Sequence, residues 1–363
     1  MTRIHGLDLA RALAIIGMMA AHIGPERFLT DGYPSVLFAV LAGVSMGLIA
    51  SRSPLLDARL PLLTRAVLLI GLGVLLDALQ FGIAVVLIAI GVSYLLLLPL
   101  LGWSTRRLLL VLAGLVVLGP LLGAAQHTLY IAWGSEFFSD LLFGPYPLTA
   151  WLAYTLLGFL LHRLALHREL WLLVGGVVVF VLAQGIIEVS GFRVGAHDGL
   201  NFLGEWLQGA PHSGGLLDVL TSAGLATAVI GVCLLACRVG AIVWATYPLR
   251  SLGAMSLTVY VTHVLITSVA NGTVVSFDGL SGEVYSDYVP EEYSEYAWSK
   301  YPPELDKGDI YDLPLWPELF LWQLLGFLVF ASLWRWRFRR GPAEWAMHRA
   351  VGSTAGGQPE KLT

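Results

Sequence analysis

Apolar residues run along most of this chain in blocks, and short polar turns carrying arginine separate them. A block of about twenty is the length at which a helix crosses the hydrocarbon core of a membrane. Read by that pattern, spans fall at 7–24, 33–50, 61–80, 83–102, 107–126, 147–166, 169–189, 216–237, 249–270 and 317–336. The stretch 127–146 is apolar enough to hold a re-entrant segment or an eleventh short helix. The expected fold is therefore all-α, a polytopic membrane protein of about ten transmembrane helices. Polar residues inside a span stand out against this background. The first span carries three, Asp8, Arg11 and His22.

Charge tests the count, because cytoplasmic turns collect Lys and Arg. With the N-terminus inside, the inner segments hold Arg3, Arg52, Arg59, Arg65, Arg106, Arg107, Arg163, Arg168, Arg238, Arg250, Arg335, Arg337, Arg339, Arg340, Arg349 and Lys361. Arg27, Arg193, Lys300 and Lys307 fall outside, and Arg11 lies within a span. The alternation holds at every turn, so both termini are expected in the cytoplasm of a multi-pass cell-membrane protein. Asp8 and Arg11 interrupt the first apolar block, and nine more spans follow, so a cleaved signal peptide is not expected.

Composition agrees. The chain is 57% hydrophobic and only 13% charged, about half the charge of a soluble domain. Residues 1–350 read as one membrane domain and 351–363 as a disordered cytoplasmic tail. The segment 271–316 reads as an acidic outer loop, with ten acids and two lysines between Asp278 and Asp312. It suits either a solvated loop or a lid over an outward-facing site. The net charge of −4 gives no reason to expect nucleic acid as a partner. Cys233 and Cys237, four apart in a span, read as packing thiols.

Ionisable groups in a span are expensive and point to function. Arg11 and His22 are eleven residues apart, about three turns, so they share a face and lie roughly 16 Å apart along it. Asp8 lies three residues before Arg11 and can neutralise it. One stripe thus carries a carboxylate and a guanidinium near the inner surface and an imidazole near the outer one. Ala42, Gly43, Ser45 and Gly47 form a small-residue face in the second span, open to a neighbouring helix or an acyl carrier. Ser256, Tyr260 and His263 share a face at i, i+4 and i+7. His263 is thirteen residues beyond Arg250, roughly 19 Å by helical rise, which brings it to the level of His22.

These elements resemble the transmembrane acyltransferase superfamily. The opening Asp8-Leu-Ala-Arg11 running to His22 is similar to its first-span pattern, although Ala12 replaces the usual glycine. Leu37–Gly47 looks like its second-span segment, and Leu252–His263 is similar to the Leu-Gly-x-x-Ser-x-x-x-Tyr-x-x-His element of acyltransferase-3 proteins. Gly144-Pro-Tyr-Pro-Leu-Thr-Ala-Trp151 through Gly158 resembles the heparan-alpha-glucosaminide N-acetyltransferase branch and its bacterial relatives. The chain is placed nearest that branch.

The resemblance implies transfer of an acyl group, with acetyl expected, from cytoplasmic acetyl-CoA to a hydroxyl or amine of an extracytoplasmic cell-envelope glycan or glycolipid. A neutral imidazole suits the base that takes the acceptor's proton. The candidate catalytic residues are His22, His263 and Asp8, with His22 preferred as base and His263 as orienter or second group. An interfacial histidine bonded to backbone is the plain alternative for each. The candidate coenzyme-binding residues are Arg11, Arg59, Arg65, Gly43 and Ser45, since Arg suits phosphate. No metal is expected, although His127, His197 and His212 fall in outer loops. Gln184 and Glu188 read as interhelical hydrogen-bonding groups. Membrane lipids surround the domain, and a second copy of the chain is an allowed partner. A transporter or flippase for a sugar or lipid-linked substrate would also place Asp8, Arg11 and His22 on a path, and a scaffold would leave them without a role.

Overall fold

The computed structural model describes residues 4–24, 30, 32–51, 54–78, 83–129, 136–192, 201–270 and 317–354. Every regular element among them is helical. In chain order these are α1 His5–Ile23, α2 Tyr33–Ala50, α3 Leu55–Asp77 and α4 Val86–Leu97, the last continued by a 3-10 turn Leu98–Gly102. There follow α5 Thr105–Leu129, α6 Glu136–Phe143, α7 Leu148–Leu164, α8 Glu169–Ser190, α9 Phe202–Leu207 and α10 Leu216–Ala236. The remainder are α11 Gly240–Ala245, α12 Tyr247–Ala254, α13 Ser256–Ala270, α14 Pro317–Arg337 and α15 Pro342–Thr354.

Seven of these helices are long and apolar enough to cross a membrane: α1, α2, α3, α5, α8, α10 and α14. The pair α12–α13 passes the same test jointly but is bent by 81°. Val86–Gly102 and Leu148–Leu164 are apolar and shorter. Each apolar block of the sequence thus has a helical counterpart. The block 127–146 contributes the end of α5 and the short α6. The expected tail begins inside α15, because 351–354 are helical, and 355–363 lie outside the described residues, as does the acidic loop 271–316.

Burial separates the helices into two groups. The apolar windows of α2 and α1 are 67% and 61% buried, against 17% for α5 and α14. The first two helices, with α7 and α10, form the centre. The outer helices turn large side chains such as Leu118, Leu182 and Leu333 outward, where lipid tails accept them as readily as protein would.

Small residues set the central crossings. A methyl group added at Gly43 would overlap the Thr155 carbonyl oxygen of α7, and one at Gly158 would overlap the Val40 carbonyl of α2. The two backbones therefore approach as closely as glycine allows. Gly253 brings α12 against the Asp8 carbonyl of α1 in the same way. Immediately after it the span breaks.

The break at Met255 frees backbone amides that a continuous helix would satisfy. Glu344, on α15, satisfies them. One carboxylate oxygen accepts the Leu257 and Thr258 N–H groups at 2.7 and 3.2 Å, and the other accepts the Thr258 hydroxyl at 2.6 Å. The C-terminal helix thereby caps α13, the helix that carries His263.

Candidate functional site

Helix α1 holds polar groups at both ends, and each end finds partners on other helices. Near the N-terminal end of α1, the Arg11 guanidinium donates to Asp8 Oδ1 at 3.1 Å and to the Ser45 hydroxyl of α2 at 2.9 Å. Asp8 is 2% exposed and also faces Arg335 of α14, with Oδ2 at 3.7 Å from Nη2. Arg335 donates to the Arg250 carbonyl of α12 at 2.7 Å. The buried Arg250 side chain donates to the Val243 carbonyl and meets Nδ1 of His5 at 2.9 Å. Five elements thus converge on one carboxylate and three guanidinium groups, a net positive charge in a site largely closed to water.

Two further basic groups flank this cluster. Tyr94 of α4 donates its hydroxyl hydrogen to the Ala42 carbonyl at 2.6 Å, and its hydroxyl lies within hydrogen-bond reach of Arg65 and electrostatic range of Arg11. The Nε atoms of Arg59 and Arg65 are buried with no hydrogen-bond partner among the described residues. A cavity of about 560 Å³ opens on the other flank, beside Arg250, Val243, Trp244 and Tyr247. Arg250 is shared by the cavity and the cluster. This end could hold an anion such as a phosphate.

At the C-terminal end of α1 the imidazole of His22 turns to another histidine. Its Nδ1 lies 3.0 Å from Nε2 of His263, with the rings parallel to 3° and centroids 5.3 Å apart. Nδ1 of His263 is 2.8 Å from Gln323 Oε1 of α14 and 3.3 Å from the Thr267 hydroxyl. His263, Gln323 and Thr267 are all buried.

An aromatic wall adjoins the pair. His212 lies within electrostatic range of His22. It stacks on Trp151 at 6.2 Å between centroids and meets Tyr146 edge-on. Its positive φ of 61° is unique among non-glycine residues described, and one ring nitrogen bonds the Pro145 carbonyl at 3.2 Å. Tyr146 and Trp151 belong to the Pro-Tyr-Pro…Trp segment of the sequence. Trp151 Nε1 is buried without a hydrogen-bond partner among the described residues.

Of the residues expected at a site, Asp8, Arg11 and Ser45 meet directly, Arg65 lies beside them through Tyr94, and His22 meets His263. Arg59 is on the same helix as Arg65, six residues before it. At Gly43, of the neighbouring helix and the acyl carrier that the small-residue face admits, it is the α7 backbone that fills the space beside it. Gln184 and Glu188 meet each other. Gln184 donates to Glu188 at 2.9 Å within the same helix. His127 pairs with Glu205 at 3.2 Å, and His197 lies outside the described residues. Among the described residues no group of three or more His, Cys, Asp or Glu could hold a metal ion. Cys233 and Cys237 are free thiols.

Arg250, Arg335, Gln323 and Glu344 were not singled out by sequence. A glutamine in the middle of the last span was the one available signal, since polar groups there are costly. The chain matches none of the known protein families or curated proteins with which it was compared.

Proposed function

We propose that this chain is an integral membrane acyltransferase of the transmembrane acyltransferase superfamily. It moves an acyl group, acetyl foremost, from cytoplasmic acyl-CoA to a hydroxyl or amine of an extracytoplasmic glycan or glycolipid. The observation that carries the reading is the division of labour along α1: a guanidinium cluster around Arg11 at one end and the His22–His263 pair at the other. About 16 Å of helix separates them. In this reading Arg11, with Arg65 and Arg59 beside it, takes the nucleotide phosphates from the inner face. Asp8 holds Arg11 in place. His22 removes the acceptor's proton as the thioester carbonyl is attacked, and His263 orients it. The aromatic wall of Trp151, Tyr146 and His212 offers flat surfaces on which a sugar ring can stack.

The topology that goes with this proposal has ten spans and both termini in the cytoplasm. Single cysteines at positions 107 and 193 test it by labelling from one side of intact cells: position 193 should react and position 107 should not.

One observation favours a second reading. A span broken by 81° is a common device of transporters, where half-helix termini line a substrate path. Against it, the N-terminal end of α13 is occupied by Glu344. A single assay separates the two readings. Purified protein in nanodiscs, which have no separate compartments, is given radiolabelled acetyl-CoA. An acyltransferase releases coenzyme A and passes label to an acceptor or to water, and His22→Ala abolishes this in folded protein. Full turnover by that variant rejects His22, and no turnover by the wild type with a panel of sugar acceptors rejects the enzyme.

A further inference from the structure

The two histidines at the C-terminal end of α1 can be ordered in two ways, and one neighbouring side chain chooses between them. A neutral imidazole has one N–H and one lone pair, so a chain of two rings has a direction. We propose that Gln323 is a positioning residue that fixes this direction, leaving the unprotonated lone pair on Nε2 of His22.

The derivation runs outward from the amide. Gln323 Oε1 only accepts, and it lies 2.8 Å from Nδ1 of His263. That nitrogen therefore carries the hydrogen. Nε2 of the same ring is then an acceptor, and the atom facing it at 3.0 Å, Nδ1 of His22, must donate. His22 Nε2 is left without a hydrogen. In this sense the other end of the amide is satisfied as well, since Gln323 Nε2 donates to the Thr267 hydroxyl at 3.3 Å. Thr267 stands one turn beyond His263 on the same helix and so moves with it.

Turning the amide over would reverse every link. Its NH2 group would face Nδ1 of His263, the hydrogen would pass to Nε2, and His22 would carry its own hydrogen on Nε2, where it could take up no proton. His263 is 1% exposed, Gln323 6% and Thr267 0%, so water does not offer substitute partners for these groups, and leaving one unsatisfied is costly. The order thus runs through three buried side chains on two helices, and the sense of the Gln323 amide decides it. Its catalytic meaning rests on the acyltransferase reading above: with the order as drawn, Nε2 of His22 accepts the acceptor's proton, and the resulting imidazolium keeps its Nδ1–H on His263.

The test reads the hydrogens and the reaction separately. Protein with 15N-labelled histidine rings is prepared in nanodiscs as wild type, Gln323→Glu and Gln323→Met, with His22→Asn and His263→Asn to assign the signals. At a pH where the rings are neutral, the wild type should show both His22 and His263 protonated at Nδ1 and bare at Nε2. Gln323→Glu retains an acceptor and should keep the hydrogen on Nδ1 of His263. Gln323→Met has none, so the two rings should lose their single order. In the same samples Gln323→Met should lower kcat about 100-fold, the scale of lost acid–base catalysis, with KM for acetyl-CoA unchanged and most of the rate restored in Gln323→Glu. A wild-type spectrum with hydrogen on Nε2 of His22 overturns the proposal without recourse to any variant, and so does a Gln323→Met spectrum identical to wild type. Should the order be present in the wild type and lost in Gln323→Met while neither protein transfers acetyl, the acyltransferase reading falls and the proton order stands.

Discussion

Replacing Glu344 by alanine should loosen the helix that carries His263 from a site far from the histidine itself. The carboxylate accepts two backbone N–H groups and one hydroxyl at the start of α13, directly after the break that separates α13 from α12. Alanine there leaves Leu257 and Thr258 amides without their acceptor. Each orphaned N–H costs about 1–3 kcal/mol when water is excluded. Loss of an N-terminal cap alone costs about 0.5–2 kcal/mol, and loss of a carboxylate from the positive end of a helix adds about 0.3–1 kcal/mol. Glu344 is half-buried, so water recovers part of this, and a net local cost of about 2 kcal/mol is the working figure. Since 1.4 kcal/mol is a factor of ten, the Leu257 and Thr258 amides should exchange their hydrogens about 30-fold faster in Glu344→Ala. Exchange mass spectrometry on protein in nanodiscs measures this, with α10 as an internal control that should not change. Glu344→Gln keeps an acceptor oxygen and should fall between the two. His263 is seven residues beyond Ser256, about two turns, so the same variant should broaden the ring signals of His263 and His22. Exchange at Leu257 and Thr258 within twofold of wild type would refute the capping account.

Other expectations follow from the packing and the charges. Gly43→Val should destabilise the protein by at least about 3 kcal/mol, the upper range for overpacking, because its side chain meets the α7 backbone. Gly114→Ala, where a methyl group meets nothing within 4 Å, should be neutral or stabilising by up to about 1 kcal/mol; thermal unfolding in detergent separates the two. Asp8→Asn should cost about 3–5 kcal/mol, the scale for breaking a buried pair, and Arg335→Gln less, since its contact at 3.7 Å is the longer of the two; thermal unfolding with the same detergent measures both. Under the proposed function, Arg11→Ala should weaken coenzyme A binding about tenfold, the equivalent of one charge-assisted hydrogen bond, while Arg107→Ala leaves it unchanged in a calorimetric titration.

The apolar blocks located the helices because a membrane allows few other backbones, and helical spacing placed Asp8 beside Arg11 and put His22 at the level of His263. What periodicity does not encode is which helices are neighbours. Arg250 and Arg335 look in the sequence like inner-face anchors, and their convergence on Asp8 depends on α12 and α14 both packing near α1. Gly43 illustrates the same gap. Its face was legible as small, and its partner, the α7 backbone, was not. The break after Ala254 was hidden for another reason: the apolar run continues through it without a proline, and the group that makes it tolerable, Glu344, lies 86 residues from Thr258. Gln323 stood in a block read only for its hydropathy.

These long-range contacts share a feature that bears on mechanism. α1 is tied at its N-terminal end to α2, through Ser45, and to α14, through Arg335. At its C-terminal end it is tied to α13 through His263, which is tied in turn to α14 through Gln323. α14 therefore supports both ends of the polar face of α1, with Arg335 and Gln323 twelve residues apart on it, close to the eleven that separate Arg11 from His22. Two helices with matched polar spacing, joined at both levels, keep the distance between the guanidinium cluster and the imidazole fixed. Under the proposed function, in which a flexible donor is held at one end and its thioester meets a base at the other, a fixed distance is what proximity and orientation require. A shift of either helix by one turn would part both contacts at once, so the two ends of the site are built to be formed or lost together.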